Sequence, residues 1–215
     1  IINHAEDPNL CSDGQIHESF MSNQLGLSGN PDSAEAIMVF RDLELSLITG
    51  SKLHVPHVTT EKSVNLIREM KIKNKSVTAE VTPHHLYFNV DNLKSYDTNL
   101  KVAPPIRSEN DRMSLISALV DGTIDCIATD HAPHNMHDKE TTFDLASCGM
   151  IGLESCFGAV NKIFMDNQRV ELMDLIALLT FKPRKIMGFE YDLFQEGTEA
   201  EITVFDPQKE WTFSE

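Results

Sequence analysis

The chain has 215 residues, 41% of them hydrophobic, which is enough for one compact domain and too long for a small disulfide-stapled module. Eighteen Lys and Arg stand against 33 Asp and Glu, a formal charge of -15, which excludes the phosphate-neutralising surface of a nucleic-acid binder and points to a small substrate. No apolar run is long enough to span a bilayer and the chain does not open on a basic, then apolar, leader, so no membrane association and a cytoplasmic location are expected. Cys11, Cys126, Cys148 and Cys156 fit neither a zinc ribbon nor a Cys-x-x-Cys pair and are expected as reduced thiols. The chain starts at Ile1 without Met and stops at Glu215 soon after a strand-like segment, so a truncated polypeptide is expected.

In chain order, short β-rich runs alternate with longer amphipathic ones, the pattern of βα units around a parallel sheet. Strands are expected at Ile1 to Ala5, Lys52 to Val58, Ser76 to Val81 and Ile124 to Thr129. Asp32 with Glu35 at the box position predicts a helix that buries Ala36, Phe40, Leu43 and Leu47 and closes at Gly50. Thr60 opens a second helix with Val64, Ile67 and the Lys71 stem on one face. Ser108 with Asp111 frames a third, carrying Met113, Ile116 and Val120 to Gly122. Helical spacing returns from Leu153 to Met165 and from Leu172 to Leu179, and Pro183 suits the first turn of a further short helix. Glu201 to Asp206 alternates as a strand running into a turn at Pro207. Four βα units make half of an eight-stranded (β/α) barrel, which typically takes about 250 residues.

In a parallel βα array the C-terminal strand ends converge on one mouth, where such folds place their chemistry. The expected strands end in Asn3-His4-Ala5-Glu6-Asp7, His54-Val55-Pro56-His57, Glu80-Val81-Thr82-Pro83-His84-His85 and Asp130-His131-Ala132-Pro133-His134. Imidazole and carboxylate are the usual ligands of a catalytic zinc, so His4, His57 and Asp130 are candidates to meet at one ion. His57 stands three positions after His54, which puts the two on opposite strand faces and favours His57 as the ligand. Of the adjacent His84 and His85, at most one faces the mouth. The second oxygen of Asp130 could take a proton during attack on a carbonyl and return it to the departing nitrogen, making Asp130 the general acid/base. His134 could offer hydrogen bonds to a substrate carboxylate, and the turn at Cys148 and Gly149 backbone groups for the same end.

Together these motifs resemble the class I dihydroorotases of the amidohydrolase superfamily. The resemblance runs from Ile2-Asn3-His4-Ala5-Glu6-Asp7 through Gly26-Leu27, Ala34-Glu35, Arg41-Asp42 and His57-Val58-Thr59-Thr60. It continues at Ala79-Glu80-Val81-Thr82-Pro83-His84-His85-Leu86, Pro104-Pro105-Ile106-Arg107, Asp121-Gly122-Thr123-Ile124-Asp125, Ala128-Thr129-Asp130-His131-Ala132-Pro133-His134 and Gly152-Leu153-Glu154. It implies an α/β fold, the C-terminal half of a (β/α)₈ TIM barrel over residues 1–198, with residues 199–215 starting a small β-sandwich. It implies His4 and His57 on one zinc of a binuclear Zn²⁺ pair, with Asp130 on the other as catalytic acid/base. Substrate contacts would come from His134, the position of Ala103, and the backbone at Cys148 and Gly149.

The implied reaction closes N-carbamoyl-L-aspartate to L-dihydroorotate, reversibly, in pyrimidine synthesis. The family's His-x-His pair and bridging carboxylated Lys or Asp would lie before Ile1, so residues 1–215 alone are expected to be inactive. Ala103 stands where relatives commonly carry an Asn that contacts substrate, and Cys148 where many carry an aromatic residue. Implied partners are a small-molecule substrate and either a homo-oligomer or aspartate transcarbamoylase. Two alternatives remain: a cyclic amidohydrolase of allantoinase or hydantoinase type, which typically lacks the second His of Asp-His-Ala-Pro-His, and a non-catalytic partner of aspartate transcarbamoylase.

Overall fold

A computed structural model describes residues 1–165, 170–190, 195–197, 199 and 202–212. Its first elements, α1 (Pro8–Cys11), β1 (Ile16–His17), α2 (Phe20–Leu25) and β2 (Gly29–Asn30), form a small unit in which β1 and β2 pair in parallel. The βα layers follow: α3 (Asp32–Thr49), β3 (Leu53–Val55), α4 (Glu61–Lys73), β4 (Val77–Val81), α5 (Pro83–Tyr87), α6 (Glu109–Val120) and β5 (Cys126–Ile127). Then come α7 (Met136–Lys139), α8 (Cys156–Met165), α9 (Leu172–Leu179) and α10 (Phe181–Met187).

Strands β3, β4 and β5 form one parallel sheet in chain order. Alternation along them gives the sheet two chemically different faces. Leu53, Val55, Val77, Ala79, Val81 and Ile127 are buried in one core with Val64 and Ile67 of α4, Leu115 and Leu119 of α6, and Val160 and Phe164 of α8. The opposite face carries His54, Thr78, Glu80 and Cys126, with His54 bonded to Thr78 Oγ1 at 2.8 Å and to Glu80 Oε2 at 2.9 Å. This is the architecture of a barrel segment, with helices outside and polar groups within.

Several expectations shift in detail. The first expected strand, Ile1 to Ala5, contributes only a single parallel bridge from Ile2 to His54. Pro31 rather than Asp32 caps α3, and Glu35 leaves the box position to serve the loop after β3. The buried face of α3 runs through Ala36, Val39 and Leu43, while Phe40 is 52% exposed and Leu47 40%. By contrast Thr60 caps α4 through Ser63 N, and Ser108 with Asp111 forms the expected capping box of α6. At the far end, Ile202 to Asp206 has no strand partner among the described residues, and Glu201 lies outside them. Without a ladder an extended run cannot register as a strand. The segment instead lays Phe205 against Phe157 of α8, with ring centroids 4.7 Å apart, while Pro207 O accepts from Asn161 Nδ2 at 3.0 Å.

Candidate active site

The C-terminal ends of the strands bring His4 and His57 together: His4 Nδ1 lies 3.1 Å from His57 Nε2, and the rings meet edge-to-face. Two nitrogens on one tetrahedral zinc, each at about 2.0 to 2.1 Å, would stand roughly 3.4 Å apart, so this pair fits a shared ion with little adjustment. The charge of Asp130 acts on both rings, favouring their protonated forms, though less than burial and the nearer groups do. The chemistry of the donor set, two imidazoles and a carboxylate, suits zinc.

The two rings are held differently. The other nitrogen of His4, Nε2, meets Glu6 Oε2 at 2.9 Å, and Glu6 is itself held by Asn30 Nδ2 at 2.8 Å. The hydrogen bond to Glu6 raises the His4 pKa above its usual value, while burial and the neighbouring His4 lower that of His57. Burial works to raise the Glu6 carboxyl, but the bonds from His4 and Asn30 outweigh it and leave it below the ordinary range. A carboxylate behind a ligand histidine orients the ring and makes it a better donor.

His57 and Asp130 both have left-handed backbones, with φ of 33° and 48°. Non-glycine residues pay strain there and stay only when the surroundings over-determine them. The restraint on His57 is visible. Glu35, 2% exposed, accepts from Thr59 N at 3.1 Å, Thr60 N at 3.2 Å and Thr60 Oγ1 at 3.1 Å, and also from Thr59 Oγ1. Arg107 adds a bond from Nε to Thr59 Oγ1 at 3.0 Å and one from Nη1 to Asn30 O at 2.7 Å. One buried network therefore supports both His4, through Asn30 and Glu6, and His57, through Thr59. Strand alternation does not decide between His54 and His57, because β3 stops at Val55. His54 is instead committed to the inner face, where one of its ring nitrogens, a Glu80 carboxylate oxygen and the Cys126 Sγ all lie within 4.8 Å of one another. With both ring nitrogens bonded, His54 is a satisfied interior residue, and burial with Glu80 and Asp125 nearby pushes the Cys126 thiol up to about 12.

His84 and His85 are both buried in α5. His85 bridges Thr82 Oγ1 at 2.7 Å and Pro104 O at 3.0 Å, which ties β4 to the Pro-Pro turn. His84 Nε2 has no partner among the described residues, and burial followed by the charge of His57 lowers its pKa to about 4. His131 is structural: its Nδ1 accepts from Gly152 N at 3.0 Å and Leu153 N at 3.2 Å. Nothing in the sequence separated it from its neighbours, because its partners are backbone groups from a later loop.

The expected substrate end is also assembled. His134 Nε2 lies 2.8 Å from Cys148 O, so in the neutral ring that donates here the free lone pair is on Nδ1. Gly149 has φ of 139°, and a Cβ there would sit 2.8 Å from Ala132 Cβ and His134 Nε2, so only glycine fits. The Gly149 N–H is already given to Lys101 O at 2.9 Å, which leaves the Cys148 N–H as the backbone donor of this turn. Ala103 is exposed and joins Pro104 through a cis bond. A broad open groove of about 2120 Å³ includes His134 and Gly149 in its wall but not His4, His57 or Asp130. It extends away along α8 to Trp211, so its size does not describe the reacting centre.

Residues 4–215 match the amidohydrolase family. The chain belongs to that family. It is 43% identical over 207 residues to a dihydroorotase of Pelotomaculum thermopropionicum, covering 96% of this chain and 48% of the relative. It is 41% identical to a dihydroorotase of Caldanaerobacter subterraneus, covering 99% of this chain and 49% of the relative. The chain thus spans about half the length of the curated relatives it matches. Among solved structures, the L-hydantoinase of Arthrobacter aurescens superposes with a TM-score of 0.78 at 27% identity, over 93% of this chain and 46% of that one. A Saccharomyces cerevisiae dihydroorotase superposes with a TM-score of 0.68 at 19% identity, over 88% of this chain and 50% of that one, a likeness of fold alone. The amidohydrolase barrel half expected from the motifs is the fold observed.

Proposed function

We propose that the complete gene product carrying this chain is a zinc-dependent dihydroorotase that interconverts N-carbamoyl-L-aspartate and L-dihydroorotate. What supports the reading is the approach of His4 and His57 to 3.1 Å, in a chain 43% identical to a dihydroorotase, with Asp130 as the third donor of the proposed site. Zinc held by these donors, as a pair in the complete protein, would supply Lewis-acid polarisation of the ring carbonyl and a more acidic water. Asp130 takes the proton from the water that attacks the ring carbonyl. It delivers that proton to the ureido nitrogen as the C–N bond breaks, so hydrolysis ends with a carboxylate and a free ureido group. Cyclisation runs the same steps backwards. His134, when its Nδ1 also carries a proton, and the Cys148 N–H donate to the substrate carboxylate, and Ala103 leaves out one hydrogen bond, a loss of about 0.5 to 1.5 kcal/mol.

Residues 1–198 are the barrel portion of this reading and 199–215 the return toward a second, smaller domain. No helix among the described residues is long and apolar enough to cross a membrane. A small-molecule substrate, a cytoplasmic location, and assembly as a homo-oligomer or with aspartate transcarbamoylase complete the proposal. Assay of the purified gene product with dihydroorotate, allantoin and a hydantoin tests it; turnover of allantoin or hydantoin alone would sink it. The hydantoinase reading draws on the L-hydantoinase likeness, and His134 speaks against it. A protein that purifies without metal and cannot be reconstituted would instead be a non-catalytic partner.

A further inference from the structure

The side chain of Lys139, at the end of α7, spans three segments. Its ammonium donates to Ser147 O at 2.8 Å, Thr98 O at 3.0 Å and Lys101 O at 3.4 Å. Three N–H groups meet three backbone carbonyls, and among the described residues no carboxylate lies within ion-pair distance. A surface lysine ordinarily keeps its charge in water; here the head is turned inward although burial opposes its charge. Such a lysine does the work of a strap, because the carbonyls it holds belong to two different stretches, residues 98–101 and the turn at Ser147.

The straps are reciprocated. Thr98 Oγ1 donates to Lys139 O at 2.6 Å, Ser147 N to Asp138 O at 3.0 Å, and Lys101 Nζ to Asp144 O at 2.9 Å. What they fix is the turn at Cys148 and Gly149. Gly149 N is bonded to Lys101 O at 2.9 Å, Cys148 O to His134 Nε2 at 2.8 Å, and Met150 O to Ala132 N at 2.9 Å. Lys139 therefore sets both the backbone of this turn and, through Cys148 O, the direction of the His134 ring.

We propose that Lys139 is a positioning residue that pre-forms the cradle for the substrate carboxylate, without itself touching the substrate. The proposal rests on the dihydroorotase reading for the identity of that carboxylate. A pre-formed cradle lowers the ordering cost at binding, so its loss is felt in KM. A residue that merely stabilised the fold would lower the amount of active protein, seen as an apparent fall in kcat with metal loss in proportion.

The test uses the complete gene product, unmodified and as Lys139→Met and Lys139→Arg. Three readouts are taken together: steady-state kinetics with dihydroorotate, zinc content, and hydrogen exchange at the amides of Gly149 and Met150. Lys139→Met is expected to raise KM by roughly tenfold to a hundredfold with kcat and zinc content little changed. It should also speed exchange at Gly149, and Lys139→Arg, which keeps the charge and the donors, should recover part of both. An unchanged KM, or a fall in kcat that tracks zinc loss, overturns the role. If Lys139→Met does not fold, Lys139→Arg carries the test, since its altered fork should raise KM without changing zinc content. If the unmodified protein does not turn over dihydroorotate, the functional reading fails instead. Exchange at Gly149 then judges the strap by itself: acceleration in Lys139→Met supports it and unchanged exchange refutes it.

Discussion

At the scale of single residues, Asp130 combines exposure with a left-handed backbone. Asp130→Asn is expected to cut turnover by about a hundredfold to ten-thousandfold, the usual worth of a positioned acid/base, while circular dichroism stays unchanged. Gly149→Ala is expected to raise KM, because the new methyl would meet Ala132 and His134 at 2.8 Å on a backbone that glycine alone adopts freely. A pH effect follows from His84. Unfolded, it takes a proton near pH 6.5; folded, burial holds it neutral down to about 4. Between those values the unfolded chain binds more protons, so stability falls as the pH drops through that window. Denaturant titrations at pH 7.5 and pH 5 should show the loss, and His84→Gln should flatten the dependence. The candidate ligands themselves were legible because their residue types sat at strand ends. Glu6, His131 and Lys139 were not assigned roles, since what each does depends on partners distant in sequence.

At the scale of elements, local signals carried well where the decisive contact was local. Thr60 and the Ser108 and Asp111 pair cap their helices within one turn, so sequence and structure agree. Asp32 and Glu35 present the same spacing, yet Glu35 is drawn into the Thr59 and Thr60 loop by four donors that no local pattern reveals. Tertiary hydrogen bonding outbid the capping box. Removing that anchor should be costly: Glu35→Ala is expected to destabilise the protein by about 3 to 5 kcal/mol, the range for breaking a buried charged network. Because the same network holds the strained backbone before Thr59, zinc affinity should fall as well; calorimetric unfolding and metal titration measure the two effects separately. Strand positions were legible as apolar runs, whereas their lengths were not, because each ladder ends where its neighbour does.

At the scale of the whole molecule, the barrel architecture was legible from alternating periodicities, and the two faces of the sheet follow from strand alternation alone. The arrangement of Ile202 to Asp206 was not, because an isolated alternating run has the same pattern whether or not a partner strand exists. If the complete protein holds zinc through His4, His57 and Asp130, incubation with a strong chelator should abolish turnover and added zinc should restore it, with metal content measured alongside.

The sheet itself has a further consequence. Strand β5 pairs only with β4 among the described residues, and the opposite side of β3 holds a single bridge from Ile2. Backbone groups along both margins are thus templates for adding strands. In solution, a sample of these residues by themselves would be expected to lose monodispersity as concentration rises, and light scattering would reveal it.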